Sequence, residues 1–392
     1  MKKITALLLV MMCALGAWAQ TDKETPLTLE AKTDGTIMVT SPKDGMQYTL
    51  NDGAKTAVTT DAINVAVGDK VAFYGSGTAI PSYYGTMITG GTAECYVYGN
   101  VMSLVDETGF ATATTLIENG AFYQLFYQNT KIYNHESKKV VLPATKLAEY
   151  CYDSMFSDCT GLTEAPELPA TTLTANCYKG MFSGCTALTE APKLPATTLE
   201  KECYSSIFMG CTALTAAPKL PATTLAEYCY NYMFYGCTKL TAAPELPATT
   251  LKKECYSGMF MGCKALTAAP VLPATELAGG CYDSMFFSCS NLSKVTCLAT
   301  EISASYATSE WLYGVAATGT FYKAKDMEDW TSGTDGIPAG WEVAEYEPTA
   351  INNVNGDVNR NLNGTIKYFK GDKLVIETAN GSEFDAAGAQ TK

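Results

Sequence analysis

The stretch Leu162-Thr163-Glu164-Ala165-Pro166-Glu167-Leu168-Pro169-Ala170-Thr171-Thr172-Leu173-Thr174-Ala175-Asn176-Cys177-Tyr178-Lys179-Gly180-Met181-Phe182-Ser183-Gly184-Cys185 decides the fold. It closes on the block C-Y-x-x-[MI]-F-x-x-C, which returns every 26 residues. Cys151, Cys177, Cys203, Cys229, Cys255 and Cys281 form one series, and Cys159, Cys185, Cys211, Cys237, Cys263 and Cys289 a second. A period of this size is the mark of a solenoid, in which each repeat buries its apolar face only against its neighbours.

Within the repeat, Leu173, Cys177 and Met181 fall at i, i+4 and i+8, and Tyr178 and Phe182 make a second i, i+4 pair. That spacing predicts a short helix held by packing, with Thr172 as N-cap and Gly184 as the left-handed residue beyond its last turn. The other half, Leu162 to Pro169, has apolar residues at every third place and predicts an extended segment. Pro166, Pro192, Pro218, Pro244 and Pro270 recur within it. Proline has no N–H to donate, so a narrow parallel ladder interrupted along this column is expected.

The cysteines admit two readings. Cys177 and Cys185 on one helix would lie about 12 Å apart, beyond the roughly 7 Å limit of a disulfide. Equivalent cysteines of adjacent repeats stack, either as buried thiols or, in an exported chain, as disulfides. Zinc does not fit, because the spacing is C-x7-C and there is no second histidine.

Residues 1–19 read as an export signal: Lys2 and Lys3, an apolar run from Ile4 to Leu15, and the small-x-small site Ala17-Trp18-Ala19. The run is too short for a membrane span, and no later stretch reaches the roughly 18 apolar residues one needs. The net charge is −13, from 40 acidic and 27 basic residues. That excludes the basic character expected of nucleic-acid or anionic-membrane binders.

Residues 20–100 carry β-rich runs punctuated by Asp34-Gly35, Asn51-Asp52-Gly53 and Gly68-Asp69, and predict a small all-β sandwich. Residues 101–141 read as a degenerate first repeat, in which Phe122 to Asn129 replaces the cysteine block. The regular repeats span 142–302. Trp311, Phe321, Trp330 and Trp341 supply a C-terminal cap over 303–346. Residues 347–392 read as a linker, Ile351 to Asn363, and a short β-rich tail.

The frame L-T-x-A-P-x-L-P-A-T-T-L-x-x-x-C-Y-x-x-M-F-x-G-C resembles BspA-type leucine-rich repeats, in a 26-residue variant. These occur in surface proteins of host-associated bacteria. The Ala-Phe position of that family is held here by Met181-Phe182, Ile207-Phe208, Met233-Phe234, Met259-Phe260 and Met285-Phe286. The resemblance implies a right-handed solenoid, display at the cell surface, and adhesion or ligand binding, with no catalytic residues. The segment from Lys367 resembles the C-terminal sorting domains of secreted proteins of Bacteroidetes type; a plain β hairpin is the alternative. The fold class expected is therefore α/β: a leucine-rich-repeat-type solenoid of short parallel strands and short helices, with a small β sandwich before it and a β-rich tail after it.

No phosphate-binding glycine loop, G-x-S-x-G or H-E-x-x-H is present. His135, the single histidine, sits in the insertion Asn134-His135-Glu136-Ser137-Lys138-Lys139 and reads as a solvated loop residue. No cofactor or metal is expected. The positions that vary from repeat to repeat are the better place to look for function. Glu164, Glu167, Glu190, Lys193, Lys219 and Glu245 mark a candidate ligand-binding face on the extended segments. The expected function is that of an exported, non-enzymatic surface protein binding a host extracellular protein or a glycan. One alternative is a structural spacer displaying the N-terminal sandwich as the binding module. Another is a polysaccharide-degrading enzyme.

Overall fold

The computed structural model describes residues 22–75, 85–328 and 330–347, and three strands between 366 and 385. The export signal expected over 1–19 and the linker from Ile351 to Asn363 lie outside the described residues. The chain divides into two compact units, Met1–Ala344 and Glu345–Lys392.

Nine strands lead the first unit: β1 (Thr28–Ala31), β2 (Gly35–Ile37), β3 (Val39–Thr40), β4 (Gln47–Leu50), β5 (Thr56–Ala57), β6 (Ile63–Val65), β7 (Lys70–Tyr74), β8 (Met87–Ile88) and β9 (Cys95–Asn100). They are followed by β10 (Ile132–Asn134) and β11 (Val140–Val141). One sheet runs in the order β10-β9-β1-β7-β4-β5, and two small ribbons, β2-β6 and β3-β8, complete the set. The pairings up to β9 in the main sheet are antiparallel, whereas β10 and β11 lie parallel to β9. Strand β9 therefore serves both the N-terminal sheet and the first repeat: Ile132 pairs with Cys95 and Val140 with Gly99.

The expected helices do not form. Among the described residues, helix is confined to residues 22–24 and a 3-10 turn at Val101–Leu104. The block from Asn176 to Cys185 is instead a ribbon of consecutive tight turns. Cys177, Lys179, Met181, Ser183 and Cys185 each donate their N–H three residues back, to Thr174, Asn176, Tyr178, Gly180 and Phe182. The intervening amides of Asn176, Tyr178, Gly180, Phe182 and Gly184 donate to the carbonyls of Lys201, Cys203, Ser205, Ile207 and Met209 in the next repeat. Every fourth residue is left-handed: Asn176 (φ 59°), Gly180 (φ 57°) and Gly184 (φ 71°). Such residues end a helix. The i, i+4, i+8 spacing nonetheless buries what it should, because the ribbon also repeats every four residues. Leu173, Cys177, Tyr178, Met181, Phe182 and Cys185 are all buried.

Repeats pack like on like. Tyr152, Tyr178, Tyr204, Tyr230, Tyr256 and Tyr282 form one column of stacked rings, at centroid separations from 5.7 to 6.2 Å. Phe126, Phe156, Phe182, Phe208, Phe234, Phe260 and Phe286 form a second. The leucines of the extended half close the core from the other side, among them Leu162, Leu188, Leu214 and Leu240. Offset stacking adds about 0.5–1.5 kcal/mol per ring pair beyond burial.

All fourteen cysteines of the described residues are buried and unpaired. In the second series Cys185 donates its S–H to the Phe156 carbonyl (3.1 Å), and Cys211, Cys237, Cys263 and Cys289 repeat the bond. Burial pushes the Cys177 and Cys185 thiols up to about 12.

On the extended side the proline column limits the ladder to single parallel bridges, Glu164 to Glu190 and Glu190 to Ala216. A four-stranded sheet appears only towards the C-terminus: β12 (Ala268–Leu272), β13 (Lys294–Cys297), β14 (Thr320–Lys323) and β15 (Glu342–Glu345). The β12–β13 register shifts between Ala268 and Val271, the interval that holds Pro270. Strand β13 has no proline and pairs with β14 in parallel over four residues. Trp311 stacks on Tyr282 at 6.2 Å and donates its Nε1–H to Gly336 O, and Trp341 donates to Ala316 O.

In the second unit β16 (Ile366–Lys370), β17 (Lys373–Glu377) and β18 (Glu383–Asp385) form an antiparallel sheet in sequence order.

Candidate functional site

The six residues proposed for the ligand face are all exposed. Glu164 and Glu190 are bridge partners in adjacent repeats, so their side chains occupy one column. Glu167, Lys193, Lys219 and Glu245 recur at the 26-residue period and form a second column three residues on. The structure thus brings the six onto the extended side, with mixed charge. The first repeat anchors this side. The Asn134 carboxamide oxygen accepts from the N–H groups of Thr163 (2.7 Å) and Glu164 (3.0 Å), its amide donates to Glu164 O (3.0 Å), and Lys139 pairs with the Glu164 carboxylate.

His135 lies in the loop between β10 and β11, as expected, but is half-buried there. Its ring packs edge-on against Tyr96 (5.2 Å) and Tyr98 (5.3 Å), and Nδ1 accepts the N–H groups of Ser137 and Lys138. Burial lowers its basicity, and the Lys138 ammonium lowers it further. The sequence pattern missed this contact because Tyr96 and Tyr98 lie on β9, distant in the chain and adjacent in the sheet. Around it stand Lys138, which pairs with Glu30 (3.1 Å) and lies over the Tyr98 ring, and Lys32, whose ammonium is 3.6 Å from the Tyr133 centroid. Tyr98 donates its hydroxyl to Glu30 (2.9 Å), and burial with this bond raises the phenol above its ordinary range.

A second surface, on the turn ribbon, went unread. The residue after the Phe of each block is Tyr127 in the degenerate first repeat and Ser157 and Ser183 in the next two; the same position is then held by Met209, Tyr235, Met261, Phe287 and, after Leu312 in the cap, Tyr313. All five of the latter are partly or wholly exposed. The signal was present as a serine-to-apolar change at one fixed repeat position.

Asp153 lies on the same ribbon, buried, with its carboxylate accepting from the Ser154 hydroxyl at 2.7 Å. Burial pushes its pKa up to about 6. Among the described residues no group of three or more His, Cys, Asp and Glu is placed to hold a metal ion. None of their helices is long and apolar enough to cross a membrane. The recess lined by Leu29, Ile37, Ile88, Ala93 and Cys95 has room for about one water. No family model matches the chain, and no curated protein or solved structure matches it.

Proposed function

We propose that this chain is an exported, non-enzymatic surface protein: a leucine-rich-repeat-type solenoid of the BspA-like kind that binds a host extracellular protein or glycan through its extended side. The observation that carries the reading is the contrast between nearly uniform buried columns and variable exposed ones. Tyr178, Met181, Phe182 and Cys185 and their equivalents are held by core packing, while Glu164, Glu167, Glu190, Lys193, Lys219 and Glu245 change freely on a fixed frame. Repeat proteins recognise partners with such positions. Display at the surface rests on the leader read over residues 1–19.

The test is a matrix-protein and glycan array probed with the mature chain and with a charge-swapped variant, Glu190→Lys with Lys193→Glu. The expected result is a bound ligand whose signal falls in the variant. Binding that ignores the swap refutes this face. A second reading, a spacer displaying the N-terminal module, is favoured by the half-buried cluster of Tyr96, Tyr133 and Lys32 beside the main sheet. It calls for loss of binding in Tyr96→Ser instead.

A further inference from the structure

We propose that the turn side of the later repeats binds a neutral, linear, β-linked polysaccharide laid along the stack, one sugar ring per repeat. The surface is distinct from the charged columns of the extended side and owes nothing to them. Its track is Met209, Tyr235, Met261, Phe287 and Tyr313, one residue from each of five successive repeats. Phe287 and Tyr313 are stacked at 5.2 Å. Beside it the next ribbon position is Gly210, Gly236 and Gly262, which leaves bare backbone. Tyr232 completes a corner. Its ring stands at 87° to that of Tyr235 and lies over Gly258, where a methyl group would fall 2.2 Å from the ring.

Three properties of the track select the occupant. It carries no charge in a chain of net charge −13, so a neutral partner suits it. It is a single residue wide and about 20 Å long, four steps of roughly 5 Å. A globular partner needs about 800 Å² per side, so the track fits a linear polymer. An extended peptide along it would hold its amide groups over apolar side chains without partners, at a cost of about 1–3 kcal/mol each. A β-linked pyranose chain instead turns C–H faces to the track and hydroxyls to the sides, where water serves them. Its advance per sugar is close to the step between repeats.

The test is electrophoresis of the mature full-length chain through gels containing hydroxyethylcellulose, xyloglucan or mixed-linkage β-glucan, followed by calorimetry with defined oligosaccharides. Retardation by at least one polymer is expected, with affinity rising up to five sugars, the number of repeats in the track, and then levelling. Tyr232→Ser with Tyr235→Ser is expected to weaken binding about tenfold or more. Serine already occupies the same two positions, as Ser206 and Ser183, so the frame accepts it. Phe287→Ser, on the precedent of Ser157, gives the same readout from another repeat. No retardation by any of the three polymers, or retardation unchanged in both variants, overturns the proposal. Binding lost in Glu190→Lys with Lys193→Glu but kept in the tyrosine variants also overturns it, and supports the extended side.

Discussion

The hydroxyls of Tyr152, Tyr178, Tyr204, Tyr256 and Tyr282 are buried with no hydrogen-bond partner among the described residues. An unmatched buried hydroxyl costs about 1–3 kcal/mol. Tyr204→Phe keeps the stacked ring and removes the unmatched group. Thermal unfolding is expected to show equal or higher stability, up to about 1 kcal/mol; a loss of that size would contradict it. Tyr204→Ala, which opens the column, should cost about 3–5 kcal/mol. Asp153 is the second residue whose environment works against it. Its folded pKa near 6 stands above the unfolded carboxylate value, so the unfolded chain ionises first. Asp153 therefore subtracts stability progressively as pH rises from about 4 to 6 and keeps its penalty above that. Asp153→Asn, with Asn231 as precedent at the same repeat position, is expected to stabilise by about 1–2 kcal/mol at pH 7.5. The gain should vanish below pH 4 in urea titrations.

The ribbon shows what spacing alone conveys. Leu173, Cys177 and Met181 were legible as one buried stripe, and they are one. The conformation was not, because a helix and a four-residue ribbon of turns bury the same set. The discriminating signal was Gly180 and Gly184, four apart inside the block, where a helix gains nothing from glycine. The same glycines give a test. Gly258 is left-handed and lies under the Tyr232 ring. Gly258→Ala is expected to cost about 1–2 kcal/mol in chemical denaturation. Adding Tyr232→Ser should restore the part due to the ring, since Ser206 shows that the left-handed site itself admits a side chain. The extended half was easier to read: prolines broke the ladder where their missing N–H required, and β13, without one, pairs over four residues.

At the scale of the molecule, the period foretold the stacking of equivalent residues, and the variable positions foretold an exposed charged face. The sharing of β9 was hidden, since it joins strands across a boundary that composition places at residue 100. The ring contacts of His135 with Tyr96 and Tyr98 were hidden for the same reason. The thiol columns make a global expectation. Native protein should react slowly with a thiol reagent, because burial keeps the thiols protonated, while the denatured protein should yield all fourteen cysteines of the described residues. Fewer would mean disulfides.

Each interior repeat offers its two neighbours nearly the same surface. Excising Leu188–Ala213 would join Ala187 to Leu214, set Tyr178 against Tyr230, and leave both ends untouched. Slippage in the coding DNA by one unit therefore yields another foldable chain. Its reach shortens or lengthens by a single step of about 5 Å, so descent can adjust this molecule's length as one adds or drops links in a chain.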